Sequence, residues 1–218
     1  MRKRHLLLAL SAALASTLAA TPTWAQDSFK IGLLLPLTGP FASTGKQLEA
    51  AARLYIAQNG DTVGGKKVQL VVKDDTGVAD VSKRLAQELV VNDKVNVLAG
   101  FGLTPLAMAS APIATQSKTP LVVMAAATSS ITEASPYIVR TSFTVPQVVT
   151  ILADWAIKND IRKVVTLVTD YAPGVDSETW FNQRFVAQGG VVVESLRVPL
   201  RSPDFAPFLQ KLSLIHIS

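Results

Sequence analysis

Residues 95–110 read VNVLAGFGLTPLAMAS, an apolar run that meets a glycine loop and then a run of helical spacing. The apolar and β-branched residues of 95–99 suit a strand buried on both faces, as in a parallel sheet. Gly100 and Gly102 permit a tight turn and close backbone approach. Thr104-Pro105 reads as a helix start, with the threonine in the cap position and the proline in the first turn. A helix beginning there aims free N–H groups and a hydroxyl outward, an end that favours a carboxylate by about 0.3–1 kcal/mol. The same residues serve equally well as a cap that only satisfies its own helix. In a stacked α/β domain this junction lies outside the carboxyl end of a strand, where such folds bind ligands.

Working outward, short β-branched runs alternate with longer segments of helical period, which predicts βα units and a parallel sheet. Strands are expected at 30–35, 67–73, 95–99, 121–124, 163–169 and 191–196. Three helical faces are expected between them. The first is Leu48, Ala51, Ala52, Tyr55 and Ile56; the second is Val78, Val81, Leu85, Ala86 and Leu89; the third is Val148, Ile151, Leu152, Trp155 and Ala156. Pro136 and Pro146 bracket a short extended run, and proline disfavours helix in the residue before it. A lobe boundary is therefore expected there, with a first α/β lobe over 26–141 and a second over 142–211. The second contains too few βα units to cover both faces of its sheet, so apolar residues such as Val191 and Val193 are expected to lie exposed unless more chain follows.

The ends of the chain read differently from its body. Arg2, Lys3 and Arg4 precede an apolar run that closes on small residues at Ala25, the pattern of a secretory signal peptide over 1–25. The expected compartment is the periplasm, with cleavage after Ala25. Without those three residues, 18 of the 21 basic side chains remain against 16 acidic ones, a net charge near +2 rather than +5. No basic stripe points to nucleic acid. The last seven residues, LSLIHIS at 212–218, follow a helical segment without a cap. They resemble the translation of a transposon adapter used in sequencing libraries, and the natural sequence is expected to end its contribution at Lys211.

The absence of cysteine removes lipid attachment, disulfides and thiolate metal sites. The two histidines are His5 and His216, one in each terminal segment. A histidine triad, a histidine metal site and an imidazole shuttle are thereby excluded from the body of the chain. No cofactor is expected, and the function classes left are binding rather than catalysis. A secreted hydrolase is disfavoured further because no paired-carboxylate motif of a hydrolase is seen at strand ends, Asp74 and Asp75 reading mainly as caps and turn formers.

Candidate binding residues gather at strand ends. PLTGPFASTG at 36–45 is a turn-rich loop without the spacing of a phosphate-binding glycine loop, and Phe41 would be an apolar contact on the lip of a cleft. Asp74 and Asp75 read as caps and turn formers. AAATSS at 125–130 leaves room around Ala126 and Thr128, and Ser130 and Glu133 have capping-box spacing. If strands 95–99 and 121–124 are neighbours, Thr104 and Thr128 offer two hydroxyls to one anion. DYAPG at 170–174 begins another helix, with the Tyr171 ring facing either the cleft or its own lobe.

Together, IGLLLPLTGP from Ile31, the Asp74-Asp75 strand end, the 100–105 loop, AAAT at 125–128 and DYAPG at 170–174 resemble the branched-chain amino-acid (leucine-binding-protein-like) type of ABC-transporter substrate-binding protein. The resemblance implies a type I periplasmic binding protein fold: two parallel-sheet α/β lobes joined by a hinge, the second one truncated here. It implies Thr104 as the hydroxyl contact to a ligand carboxylate, with Gly102 and Leu103 lending backbone amides. Ala126 and Thr128 hold the ligand's polar end, Phe41 forms the rim, and Tyr171 takes a stacking role from the second lobe. Many members carry an aromatic residue where Pro173 stands, and some carry a cysteine where Leu103 stands. The implied ligand is a branched-chain amino acid or an ammonium-free aromatic or keto acid. The implied partners are that small carboxylate and the permease subunits of an inner-membrane transporter, with the binding protein a monomer. A ligand-sensing regulator or receptor ectodomain of the same fold is the alternative.

Overall fold

The computed structural model describes residues 28–201 and 204–215. The signal-peptide reading of 1–25 and the last three residues of the terminal heptapeptide lie outside them. The elements run β1 (Ser28–Leu35), α1 (Ala42–Asn59), β2 (Thr62–Val63), β3 (Lys66–Asp74), α2 (Ala79–Val91), β4 (Val97–Gly100), α3 (Thr104–Ser117), β5 (Leu121–Val123), a 3-10 helix (Ser129–Glu133) and β6 (Ile138–Arg140). Then follow α4 (Val145–Lys158), β7 (Lys163–Thr169), α5 (Ala172–Ala187), β8 (Val191–Val198) and α6 (Ala206–Leu214).

Among the described residues the strands form a six-stranded sheet in the order β2-β3-β1-β4-β5-β6 and a two-stranded sheet, β7-β8. All neighbours are parallel except the β2–β3 hairpin. β1 is flanked on opposite sides by β3 and β4, so successive βα units depart in opposite directions from it. The loops after β1 and β4 therefore open the crevice of a topological switch point.

Strand periodicity assigns the faces of the first sheet. Leu34 points into a large cluster with Leu89, Leu98, Phe101, Leu106 and Leu121, which α2 and α3 cover. Leu33 and Leu35 point the other way, onto Ala99 and the Leu48 and Ala52 of α1. With both faces covered, the central stretch of β1 from Ile31 and strands β4 and β5 are apolar rather than alternating. The second lobe has a smaller cluster of Ala153, Ala156 and Phe185, where α4 packs on α5. An ion pair between Lys211 and Glu194 ties α6 to β8.

Several expectations need correction. The extended run after Pro136 is itself a strand, β6, which closes the first sheet; it is a three-residue edge strand, where a flanking proline breaks no ladder bond. The β2 hairpin turns on Gly64 and Gly65, both at positive φ. On α1, Tyr55 is 69% exposed because the contact with the sheet is made one turn earlier and only on one side. On α4, Val148, Ile151, Leu152 and Trp155 are exposed, while Ala153 and Ala156 face Phe185. A two-stranded sheet is too narrow to reach the larger side chains. Leu152 and Trp155 border instead an apolar groove of about 340 Å³ that also takes in Ile161, Val164, Leu167 and Phe181. Val191 and Val193 are exposed, as expected.

Candidate ligand-binding site

The wall of the crevice is built by pinning two strand ends together. Gly100, at φ +114, lets the chain leave β4 sharply. Phe101 N–H then donates to the Leu34 carbonyl (2.9 Å), and Ala126 N–H donates to the Phe101 carbonyl (3.1 Å). Phe101 is fully buried at φ +62, a left-handed conformation that a bulky residue adopts only under such constraint. Its consequence is to swing residues 102–104 to the carboxyl edge of the sheet, beside 126–128.

There Thr104 Oγ1 and Thr128 Oγ1 lie 2.8 Å apart, 3% and 5% exposed. The two hydroxyls expected to meet do so, and either can donate. The helix itself begins one residue earlier than expected. Leu103 occupies the cap position in an extended conformation, without a side-chain cap, and Thr104 is the first helical residue. The Thr104 hydroxyl is engaged by Thr128 and caps nothing. Pro105 has no N–H, and the Leu106 and Ala107 amides donate to the Leu103 carbonyl at 3.1 and 3.3 Å, so the N–H at the start of α3 left for a ligand is that of Thr104. The Ser130–Glu133 capping box does not form either: the 3-10 helix starts at Ser129 with Thr128 ahead of it, and its short pitch leaves no α-helical first turn to cap.

The lip is held by carboxylates. Asp74 accepts from Leu37 N–H (2.8 Å), Thr38 Oγ1 (2.6 Å) and Thr76 N–H (2.8 Å), so the end of β3 fixes the loop after β1. Burial raises its pKa, but these donors outweigh burial and hold the carboxyl below the usual range. Asp75 is buried and accepts from Gly77 N–H at 3.0 Å. Burial first, then the neighbouring Asp74 charge, push its pKa up against that bond. A Cβ on Gly77 would stand 3.4 Å from Phe41 Cδ2 and 3.9 Å from Leu103 Cδ1, and one on Gly102 would stand 3.0 Å from Pro36 Cγ. Phe41, Gly77, Gly102 and Leu103 therefore crowd one corner. A cavity of about 400 Å³ opens beside it, lined by Phe41, Thr76, Gly77 and Val78 of the first lobe and by Leu200 and Arg201 of the second.

The raised pKa of Asp75 carries a signed expectation. A carboxyl whose folded pKa lies above its unfolded one makes the folded state bind more protons, so its ionisation lowers stability as pH rises above about 4, the unfolded value. Asp75→Asn keeps an acceptor for Gly77 and removes the charge. It is expected to raise the urea midpoint at pH 7 and to leave it unchanged at pH 3. An Asn variant destabilised at pH 7 and not at pH 3 would show that the carboxylate is needed in its charged form.

Tyr171 is at the cap position of α5, half-buried, with its N–H on Thr169 and its carbonyl accepting from Val175. Burial raises its pKa. These bonds stay in its own lobe, so the structure brings Thr104, Ala126 and Thr128 together, gathers Phe41 with Gly102 and Leu103, and keeps Tyr171 apart.

Two residues around the wall were not singled out by the sequence. Arg140, in register with Val123 at the end of β6, donates through Nη2 to the Thr128 carbonyl (2.5 Å) and through Nη1 to that of Ala127 (3.3 Å). Asp176 of α5 accepts from Ser129 N–H at 2.8 Å and from Ser129 Oγ at 2.9 Å. An arginine closing a three-residue edge strand is a signal only once the strand order is known. The Asp176–Ser129 pair spans 47 residues and leaves no local trace. Among the described residues no group of three or more His, Cys, Asp or Glu could hold a metal ion, and no helix is long and apolar enough to cross a membrane.

Residues 28–214 match a family model described as periplasmic binding protein. A Leu/Ile/Val-binding protein homolog 6 of Brucella abortus (strain 2308) is 46% identical over 206 residues, which cover 94% of this chain and 53% of the relative. The chain thus spans about half the length of the curated relatives it matches. Among solved structures, it is similar to the solute-binding protein of an ABC transporter from Rhodopseudomonas palustris BisB5 in complex with 3,4-dihydroxybenzoic acid. That likeness has TM-score 0.83 and 61% identity, over 85% of this chain and 51% of the other. The solute-binding protein from Rhodopseudomonas palustris HaA2 in complex with p-hydroxybenzoic acid gives TM-score 0.83 and 46% identity, over 86% and 51%. A leucine-binding protein from Thermotoga maritima MSB8 gives 0.77 and 25%, over 85% and 53%.

Proposed function

This chain belongs to the periplasmic binding protein family, and we propose that it is the non-catalytic receptor of an ABC uptake transporter. It captures a small carboxylate between two lobes, in the periplasm and as a monomer, and delivers it to permease subunits in the inner membrane. The carboxylate lies on the hydroxyls of Thr104 and Thr128 and the Thr104 amide at the start of α3, with Ala126 beside them and Phe41 on the rim. Tyr171 approaches from the second lobe as the lobes close.

The ligand we favour is an aromatic carboxylate of the hydroxybenzoate class. The observation that carries this choice is the commitment of Asp176. This carboxylate, bonded next to Thr128, already accepts from Ser129 through both oxygens, so the ammonium of an amino acid would have to compete with those bonds for it. The 61% identity to a protein in complex with 3,4-dihydroxybenzoic acid points the same way. The branched-chain amino-acid reading is supported by the name of the Brucella relative.

A thermal-shift series separates the two. A ligand at about 100 times its Kd adds about 2.7 kcal/mol, or roughly 5 °C or more for a chain of this size. 3,4-Dihydroxybenzoate and 4-hydroxybenzoate at millimolar concentration are expected to give such a shift, and leucine and isoleucine none. The reverse pattern would overturn the aromatic assignment, and no shift with any carboxylate would count against the receptor reading itself.

A further inference from the structure

We propose that Asp176 is a positioning residue, a clasp by which the second lobe sets the geometry of the ligand wall in the first. The inference rests on the reading of Thr104 and Thr128 as that wall. Asp176 belongs to α5, whose other partners are α4, β7 and β8 of the second lobe, apart from a touch on α3. Ser129 starts the 3-10 helix of the first lobe. The two bonds between them, 2.8 Å to the amide and 2.9 Å to the hydroxyl, use both carboxylate oxygens and are partly buried. Charge-assisted bonds of this kind are about twice as strong as neutral ones.

On the opposite side of the same short segment, Arg140 holds the carbonyls of Ala127 and Thr128. Residues 127–129 are therefore gripped by a cation on their carbonyl side and an anion on their amide side. Thr128, which carries the wall hydroxyl, lies between the two grips. Burial lowers the Arg140 pKa, and the Asp176 charge acts against that effect. The cation comes from the wall's own sheet. The anion comes from the other lobe, and within the described residues the chain crosses between lobes once, at 141–144. Separating the lobes removes the anionic grip and frees the amide end of the wall. Closure and ligand affinity are then linked, because each favours the same arrangement of Thr128.

The chain has no cysteine, so spin labels on Lys46→Cys in α1 and Lys158→Cys in α4, both exposed positions, report the distance between lobes without side reactions. In the ligand-free protein, Asp176→Ala is expected to shift and broaden that distance distribution relative to wild type. Asp176→Asn, which keeps an acceptor for the Ser129 amide, is expected to shift it less. Affinity for 3,4-dihydroxybenzoate should fall about tenfold in D176A and about threefold in S129A, and the double variant should be no worse than D176A. An unchanged distance distribution in D176A, or losses in D176A and S129A that multiply independently, would overturn the clasp. Should D176A fail to fold by circular dichroism, D176N and S129A decide by the same readings. The distance measurement uses no ligand, so it stands even if no carboxylate binds and the receptor reading fails.

Discussion

Thr104→Val is expected to weaken hydroxybenzoate binding by about 10- to 100-fold, the equivalent of one hydrogen bond to a charged group at about 1.5–3 kcal/mol. Valine keeps the shape of threonine and loses only the hydroxyl. The same change leaves the Thr128 hydroxyl, 5% exposed, without its 2.8 Å partner, so the unliganded protein should also lose about 1 kcal/mol or more. The double variant T104V/T128V separates the two effects. Replacing both members of a buried polar pair is nearly neutral for stability, so its urea midpoint should recover towards wild type while its affinity stays at or below that of T104V. Isothermal titration and urea denaturation on the three proteins suffice. Wild-type affinity in T104V would remove the hydroxyl pair from the site.

The largest effect on folding is expected at Gly100→Ala. An added Cβ would lie 2.0 Å from the Leu34 carbonyl oxygen, far inside contact distance. That oxygen cannot retreat, because it already accepts from Phe101 N–H, and Leu34 is in register with Gly100 across β1 and β4. The φ of +114° adds a strain that only glycine avoids. A destabilisation of more than about 4 kcal/mol is expected, seen as loss of soluble protein or of a measurable urea transition. Gly64→Ala is the control. Its φ is +57°, and an added Cβ would meet nothing within 4 Å, so it should cost about 1 kcal/mol. A Gly100 variant no worse than the Gly64 variant would show that β1 and β4 can part at that point.

Much of this architecture could be read from the chain because its central strands are apolar on both sides and end in unmistakable turns. Gly100, Asp74-Asp75 and Thr128 each mark a strand end, and all three mark the carboxyl edge of the same sheet. What could not be read depends on partners distant in sequence. The third helical face looked like core from its spacing, yet Trp155 is 54% exposed, since periodicity records that a helix has an apolar face and not what lies opposite it. Phe101 carries no signature of its left-handed backbone, which follows from two bonds to other strands. Arg140 and Asp176 are ordinary charged residues until the strand order and the approach of α5 set them on either side of Thr128. The cap at Thr104 was misplaced by one residue because the hydroxyl that would have capped the helix was bonded to a threonine 24 positions away.

The uneven burial of the two lobes has a consequence for cooperativity. The first lobe encloses two continuous clusters on either side of a six-stranded sheet, whereas the second has one small cluster around Ala153, Ala156 and Phe185. Such units need not unfold together. Without ligand, the heat absorbed on melting should divide into an early transition from the second lobe and a later one from the first. A molecule held by both lobes makes the later unit pull on the earlier, and the two transitions merge. One melting temperature then describes the occupied protein, and the empty one needs two.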